Sequence, residues 1–458
     1  GEIREYKKTV RGKYNNERAI RKENGVFFTP PWVVDYMISL IDEQHLTSKE
    51  RLSILEPAAG MCQFLSGFKK NKPQLFQRAS KKVAVDINGE LLNRAREELV
   101  LYGVEFVCAD YILWNTEDRF DVIIGNPPYG IPSQSHHYPI RVDNQTKERY
   151  KQTLTTWYGK YNMYGAFIEK SVNLLKDGGQ LIFIVPSTFM ILDEYRKLRT
   201  FLASAGETTI IYMGKNVFRP DADVATAILN FKKDSHARHR LRLLEHNGEE
   251  KKLISERQDW TGQPVLFASE FSKALEQYCS LRIGDVYSVH ISLRTPEVRT
   301  NPHVLKRASV DSDDFLPLLN SKNLNPGRVD YVSTHGYWVK ANNISKLRPF
   351  FSEPRIVMGM GFRGTRNIAA AYDYKAYPWY GEVYHLLIKQ DLFGRSFDLE
   401  EEDVVNFLNS GLVKRYIKET FREITYHLSV SQIKHIPLPT KKELENIRRD
   451  LNDAQLDS

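Results

Sequence analysis

The stretch "DVIIGNPPYG" (121–130) limits the possible folds more than any other part of the chain. Val122, Ile123 and Ile124 are consecutive, so an extended segment there is apolar on both faces, and both faces need cover. A central strand of a parallel sheet with helices on either side meets that demand. Gly125 lets the backbone turn sharply at the strand's carboxyl end, and Pro127 and Pro128 fix φ, lack N–H groups and push Asn126 toward an extended conformation. Ligands of open α/β sheets sit at such an end. Acceptors with no local donor, beside the ring of Tyr129, suit a flat nitrogen heterocycle with an exocyclic amine. Its amine would donate to the Asn126 side-chain oxygen and the Pro127 carbonyl while its ring stacks on Tyr129. A plain Asn-Pro turn is the alternative reading.

The surrounding chain has the alternation this strand requires. "WVVDYMISLI" (32–41) predicts a helix opened by Pro30 and Pro31, "LSILEP" (52–57) a strand, "KKVAVDIN" (81–88) a strand, and "ELLNRAREELVLYG" a helix. "VEFVCAD" and "FDVIIGN" follow as strands, then helices within 165–179 and 194–206, each leading to a further strand. "VATAILNFKK" (224–233) follows its predecessor closely enough for an antiparallel pair. The fold expected is α/β, doubly wound and mostly parallel. At 458 residues the chain should hold two or three domains. The charged stretch 235–262 breaks the alternation, which places a boundary after residue 244. Residues 245–458, with short strands, irregular loops and late helices near 401–422 and 442–453, read as an α+β module.

The formal net charge of +8 suggests an acidic partner. Residues 1–242 hold 36 basic and 28 acidic side chains, while 243–458 hold 29 of each, within which 282–366 hold 13 and 7, a basic block between two acidic ones. A solvated surface would give the same count. Cys62, Cys108 and Cys279 lack C-x-x-C spacing, against a disulfide framework or a thiolate metal site, and no metal is expected. With no apolar run near twenty residues and a charged amino terminus, neither membrane span nor signal peptide is expected, and the location expected is cytoplasmic.

Three strand ends carry the groups a nucleoside needs. "LSILEP" runs into "AAGMCQFL", a small-residue turn for close backbone approach, but there is no G-x-G-x-x-G to cradle a pyrophosphate. S-adenosylmethionine has no phosphate and needs a ribose clamp and an adenine reader. Asp86, 26 residues past Gly60, ends the second strand where an acid accepts from ribose hydroxyls. Asp110 ends the third and would accept from the cofactor's adenine amine, with Ile87 and Tyr111 against the ring. Each aspartate alone is equally a cap or turn residue.

"FFTPPWVVDYM", "ILEPAAG", "VDIN", "CADYILW" and "DVIIGNPPYGI", in that order, resemble the TaqI-type (gamma-class) N6-adenine DNA methyltransferases of type II restriction–modification systems. The likeness continues through "KYNMYGAFIEKSVNLLKDGGQLIFIVPSTFM" and returns in "TYHLSVSQIKHIPLP". It implies a class I methyltransferase sheet followed by a target-recognition domain. By that resemblance Thr29 and Glu56 contact the methionine tail, Asp86 the ribose and Asp110 the cofactor adenine. Phe27, Pro57, Ala58, Gly60, Ile87, Tyr111 and Asn126 complete the cofactor set. Asn126 and Pro127 hold the target amine, and Tyr129 and Phe218 face the two sides of an adenine flipped out of duplex DNA. The segment 131–160 would help hold the displaced site. Met61 and Cys62 depart from the family, where many members carry Asp and Gly. The DNA contacts expected are Arg282, Arg294, Arg363 and Arg366, the last two in the turn-like "RGTRN" (363–367). Double-stranded DNA is the expected partner, its site shared with a cognate restriction endonuclease, and the chain is expected to be monomeric and nucleoid-associated. The alternatives are a methyltransferase acting on RNA or a protein glutamine, and a non-catalytic DNA-binding subunit. The first would have no need of a large recognition module, and the second would leave Asp86, Asp110 and Asn126 without a use. A fused nuclease is not expected, because about 25 residues precede the catalytic pattern.

Overall fold

The computed structural model describes residues 27–99, 102–306, 314–361, 368–394, 396–425 and 427–451. The polar segment 1–24 and the basic turn with Arg363 and Arg366 lie outside them. The chain forms two units that divide at Val265/Leu266. No helix among the described residues is long and apolar enough to cross a membrane.

The first unit is built on nine strands: β1 (Ser53–Glu56), β2 (Lys81–Asp86), β3 (Val104–Cys108), β4 (Phe120–Gly125), β5 (Leu175–Pro186), β6 (Gly206–Gly214), β7 (Thr226–Lys233), β8 (Leu241–His246) and β9 (Lys251–Arg257). Their spatial order is β9-β8-β6-β7-β5-β4-β1-β2-β3. The pairings from β3 across to β5 are parallel, as is β6 with β8. β7 runs antiparallel to both of its neighbours, as its short connection to β6 predicts. All six residues of β4 are buried, the condition that its unbroken apolar run demands. Six helices of this unit matter below: α1 (Pro31–Ser39), α2 (Gln63–Asn71), α3 (Gly89–Leu99), α4 (Asn144–Thr153), α5 (Met163–Leu174) and α6 (Arg196–Ala205).

The stretch 235–262 is not a linker, and a boundary after residue 244 falls inside β8. Leu241 and Leu243 are buried and Arg242 is exposed, an alternation that charged neighbours conceal. β9 pairs antiparallel with β8 as the sheet's last strand and is largely exposed, with Lys251, Lys252 and Glu256 in water. Charged side chains are what an edge strand carries, because they discourage pairing with another chain.

The second unit holds an antiparallel sheet of β10 (Tyr287–Ile291), β11 (Arg355–Gly359), β12 (Ala370–Asp373) and β13 (Val383–Ile388), in the order β10-β13-β11-β12. Helices α7 (Glu270–Tyr278), α8 (Glu401–Leu408), α9 (Gly411–Phe421), α10 (Val430–His435) and α11 (Lys441–Asp450) complete it. The helix expected over 401–422 is two, because the Ser410 hydroxyl accepts the Val413 N–H and starts α9 afresh. Val357, Ala371, Trp379 and Val383 form one core cluster with Leu319, Leu324 and Val329. Asp373, fully buried beside it, accepts from the Tyr331 hydroxyl (2.6 Å), the Trp379 indole (2.8 Å) and the backbone N–H groups of Lys375 and Tyr377.

Between β11 and β13 the Arg355 Nε donates to His385 Nδ1 at 2.9 Å, which leaves Nε2–H of the ring to donate to the Ser292 hydroxyl. Burial first, and then Arg355 and His290, hold this imidazole well below its ordinary value and therefore neutral. The unfolded chain takes up a proton that the folded one refuses, so stability is unaffected above about pH 6.5 and falls below it, by up to ~1.4 kcal/mol per pH unit. Thermal unfolding between pH 8 and 5 should show a midpoint that drops on the acid side, with a shallower drop in His385→Gln. Equal slopes in the two proteins would contradict a neutral His385.

Candidate active site

Because β1, β2, β3 and β4 are parallel neighbours, their carboxyl ends lie along one edge and deliver Glu56, Asp86, Asp110 and Asn126 to it. After β1 the chain enters a tight loop in which Ala58, Gly60 and Cys62 all have left-handed φ, at 52°, 53° and 60°. Cys62 thus stands in a conformation natural to glycine. Its side chain is buried, so neither the loop nor α2 is lost with the departure from the family pattern. Glu56, buried, accepts the Leu65 N–H (2.8 Å) and caps α2. Asp86 accepts the Gly60 N–H (2.8 Å) on one oxygen and the Asn88 N–H (2.7 Å) on the other, tying the first loop to the second strand. Gly125 does not turn the chain through a positive φ. It is needed for space, since a Cβ there would lie 3.2 Å from the Pro57 carbonyl oxygen.

A cleft opens between these loops. Its walls include Ala58, Gly60, Asp86, Ile87, Asp110 and Tyr111, six of the residues expected around the cofactor. Ile87 is 68% exposed at the end of β2, an apolar side chain left open to the cleft. Tyr111 is buried, its ring 4.9 Å from Phe167 and its hydroxyl 2.8 Å from that of Ser171. Pro128, Ile140–Val142, Tyr150, Met163 and Phe167 also line the cleft. The segment 131–160, expected to hold the displaced site, therefore lines the cofactor cleft. Phe27, Thr29, Glu56, Pro57 and Asn126 are not among the walls, and Phe27, Thr29 and Asn126 form a second cluster.

In that second cluster the buried Asn126 donates through Nδ2 to the Phe27 carbonyl (2.9 Å) and to the Thr29 hydroxyl oxygen (3.1 Å). A carbonyl can only accept, so these bonds decide which end of the amide is nitrogen. The Asn126 Oδ1 is buried and has no hydrogen-bond partner among the described residues. Thr29 is held by Gln63 at the start of α2, whose side chain accepts from the Thr29 N–H (3.1 Å) and donates to its carbonyl (2.9 Å). Tyr129 is buried, and its hydroxyl donates to the Ile184 carbonyl (2.8 Å). Burial raises this phenol well above its ordinary value, so it stays protonated. The rings of Tyr129 and Phe218 lie 6.0 Å apart at 73°, edge to face, with the Phe27 ring 5.6 Å from the first and 5.7 Å from the second. They do not stand as the two parallel faces expected on either side of a flipped base.

Sequence reading missed Gln63, Asn162 and Tyr150. Asn162 accepts from the Gly130 N–H (2.9 Å) and from the Tyr164 N–H, fastening the turn after Asn126 to the start of α5. An Asn just before a helical pattern is a cap signal that "KYNMYG" carries. Gln63 and Tyr150 act through tertiary contacts that leave no local pattern. Of the expected DNA contacts, Arg294 is exposed. Arg282, whose side chain is 37% exposed, donates to the His435 carbonyl (2.6 Å) and lies 3.7 Å from Glu276.

The Eco57I restriction-modification methylase family matches residues 37–218, and the TaqI-like C-terminal specificity domain matches 316–438. Type II methyltransferase M.TthHB8I of Thermus thermophilus is 35% identical over 91% of this chain and 92% of its own length. Modification methylase CviBIII of a Paramecium bursaria Chlorella virus is 27% identical over 44% of this chain and 49% of its own. The structure of a nuclease-deletion mutant of the type ISP restriction-modification enzyme LlaGI shares the fold with a TM-score of 0.55 at 14% identity, covering 93% of this chain and 54% of that one. The chain belongs to the type II DNA methyltransferases of restriction–modification systems. Their methyl donor is S-adenosylmethionine, and the cleft suits it: two carboxylates on successive strand ends, an open apolar side chain at Ile87, and no phosphate cradle.

Asp86→Ala should weaken S-adenosylmethionine binding by about 1.5–3 kcal/mol, the worth of charge-assisted hydrogen bonds. Gln63→Ala, which frees Thr29, should lower stability by about 1 kcal/mol with a smaller effect on affinity. Calorimetry and denaturant unfolding separate the two, and unchanged affinity in Asp86→Ala would remove Asp86 from the ribose role.

Proposed function

We propose that the enzyme methylates the exocyclic N6 amine of an adenine flipped out of duplex DNA. The observation that carries this reading is the buried Oδ1 of Asn126, unpartnered among the described residues, whose amide is locked by the Phe27 carbonyl and the Thr29 hydroxyl. A buried acceptor of this kind costs free energy until a donor arrives, and an amine N–H is such a donor. Asn126 and the Pro127 carbonyl then accept the two amine hydrogens, draw electron density back toward the amine nitrogen and aim its lone pair at the cleft. S-adenosylmethionine, when bound, supplies an electrophilic methyl group on its sulfonium. Asp86 and Asp110 would hold its ribose and adenine, Thr29 and Glu56 its methionine end. Tyr129 offers its face to the extruded base, offsetting part of the unstacking cost, with Phe218 on the other side after rearrangement. Because Asn126 is neutral, the amine keeps its proton until after transfer.

Recognition falls to the second unit, where Arg294 and its basic neighbours would contact phosphates and base edges. The chain acts singly in the cytoplasm, on the site that a cognate endonuclease cleaves when unmethylated.

Incubation with labelled S-adenosylmethionine and duplex DNA, with the modified base identified by mass spectrometry, tests the reading. N6-methyladenine is the expected product, and N4-methylcytosine or an unmodified duplex would defeat it. Asn126→Ala should lower the rate by at least about 10²-fold while leaving cofactor affinity nearly intact. Asn126→Asp should be similarly damaging, since it keeps an acceptor but loses both donated bonds and brings a charge against the Phe27 carbonyl. Near-normal turnover by folded Asn126→Ala would rule out the acceptor role.

A further inference from the structure

The segment between Asn126 and α5 leaves and re-enters the fold at one point. The Asn162 side chain accepts the Gly130 N–H, and the Gly130 carbonyl accepts the Met163 N–H, each at 2.9 Å. Its far end is docked by Glu169, a buried carboxylate on α5 that accepts from the backbone N–H groups of Thr155 (3.0 Å) and Thr156 (2.6 Å). Between these anchors α4 carries Tyr150 into the cofactor cleft, where it is 1% exposed.

The Tyr150 hydroxyl donates to Oδ2 of Asp110, while Oδ1 accepts the Ile112 N–H at 3.1 Å. An ionised carboxylate only accepts, so Tyr150 is the donor. Burial, and then Asp110 itself, raise the phenol, so the donor persists at every working pH. One donor on each oxygen fixes the plane of the carboxylate, with its remaining lone pairs available to the cleft. With Ile112 alone the group keeps one anchor and turns about its last torsion.

We infer that Tyr150 is a positioning residue for cofactor recognition: through its bond to Asp110 it holds an acceptor against the cofactor's adenine amine, and so makes the cleft prefer a 6-amino over a 6-oxo purine. The inference rests on Asp110 being the adenine reader. The preference follows from the chemistry, because an amine donates to a fixed carboxylate while an oxo group meets it lone pair to lone pair. It also couples the covering segment to the ligand, since the contact that sets Asp110 is one of those that hold α4 down.

The test uses the full-length protein and calorimetric binding of S-adenosylhomocysteine and its 6-oxo counterpart, S-inosylhomocysteine. Tyr150→Phe keeps the ring that packs 6.3 Å from Trp157 and removes only the hydroxyl. It should weaken S-adenosylhomocysteine about tenfold and leave S-inosylhomocysteine within about twofold, narrowing the discrimination. In an Asp110→Ala background the same substitution should change S-adenosylhomocysteine affinity by less than about twofold, because the two residues act as one unit. An unchanged affinity in Tyr150→Phe, or an equal loss for both ligands that persists in Asp110→Ala, would overturn the positioning role. If Asp110→Ala alone binds S-adenosylhomocysteine as the parent does, the adenine-reader assignment falls, and this inference with it. A loss in Asp110→Ala without one in Tyr150→Phe overturns the inference alone.

Discussion

Parallel pairing of β3, β2, β1 and β4 is the constraint on which the rest of the first unit depends. Strands that run the same way end on the same side, so residues 54 positions apart from Glu56 to Asp110 reach one edge without any of them being near in sequence. The apolar run of β4 enforces this order, because only an interior position covers both of its faces. The chemistry that follows is a matter of what each strand end presents.

What they present is economical in polar groups. Glu56 caps α2, Asp86 ties the first loop to the second, and Asn126 anchors Phe27 and Thr29. Each is also among the residues expected to meet the cofactor or the target amine, so bracing and the expected recognition fall on the same groups. Substituting one removes a brace whether or not a ligand contact goes with it, and the loss of activity alone does not tell which. Among these groups the Asn126 Oδ1 stands out as a buried acceptor that the fold leaves unmatched, where the amide's other end is fully engaged. Other buried polar atoms, among them Trp157 Nε1 and Thr208 Oγ1, also lack a partner among the described residues, but Asn126 stands at the strand-end edge where ligands of such sheets sit.

The alternation of apolar strands and amphipathic helices made the first unit legible as far as β7, and the strand ends named Asp86, Asp110 and Asn126. It failed at β8 and β9, where an edge hairpin has charged side chains for the same reason that a linker does. Gln63 and Tyr150 were invisible because their partners, Thr29 and Asp110, lie 34 and 40 residues away and neither pairing follows a periodicity. Phe27 was read with the cofactor, yet its ring rests on Tyr129 and Phe218, a distinction of a few ångströms that spacing does not encode. Arg282 shows the limit of charge counting: it is basic and in the basic block, but Glu276 and a carbonyl already claim it.

The closure of the covering segment at Gly130 and Asn162 has a consequence for how such enzymes diverge. A loop whose two ends are clipped together can be lengthened, shortened or exchanged without moving the strands on either side, since the entropic cost of extra residues grows only slowly with length. Asn126 and Tyr129 then keep their places while Ile140–Val142 and Tyr150 are free to vary. Inheritance can therefore retune the walls of the cleft independently of the Asn126–Tyr129 cluster, and a lineage can explore the first without losing the second.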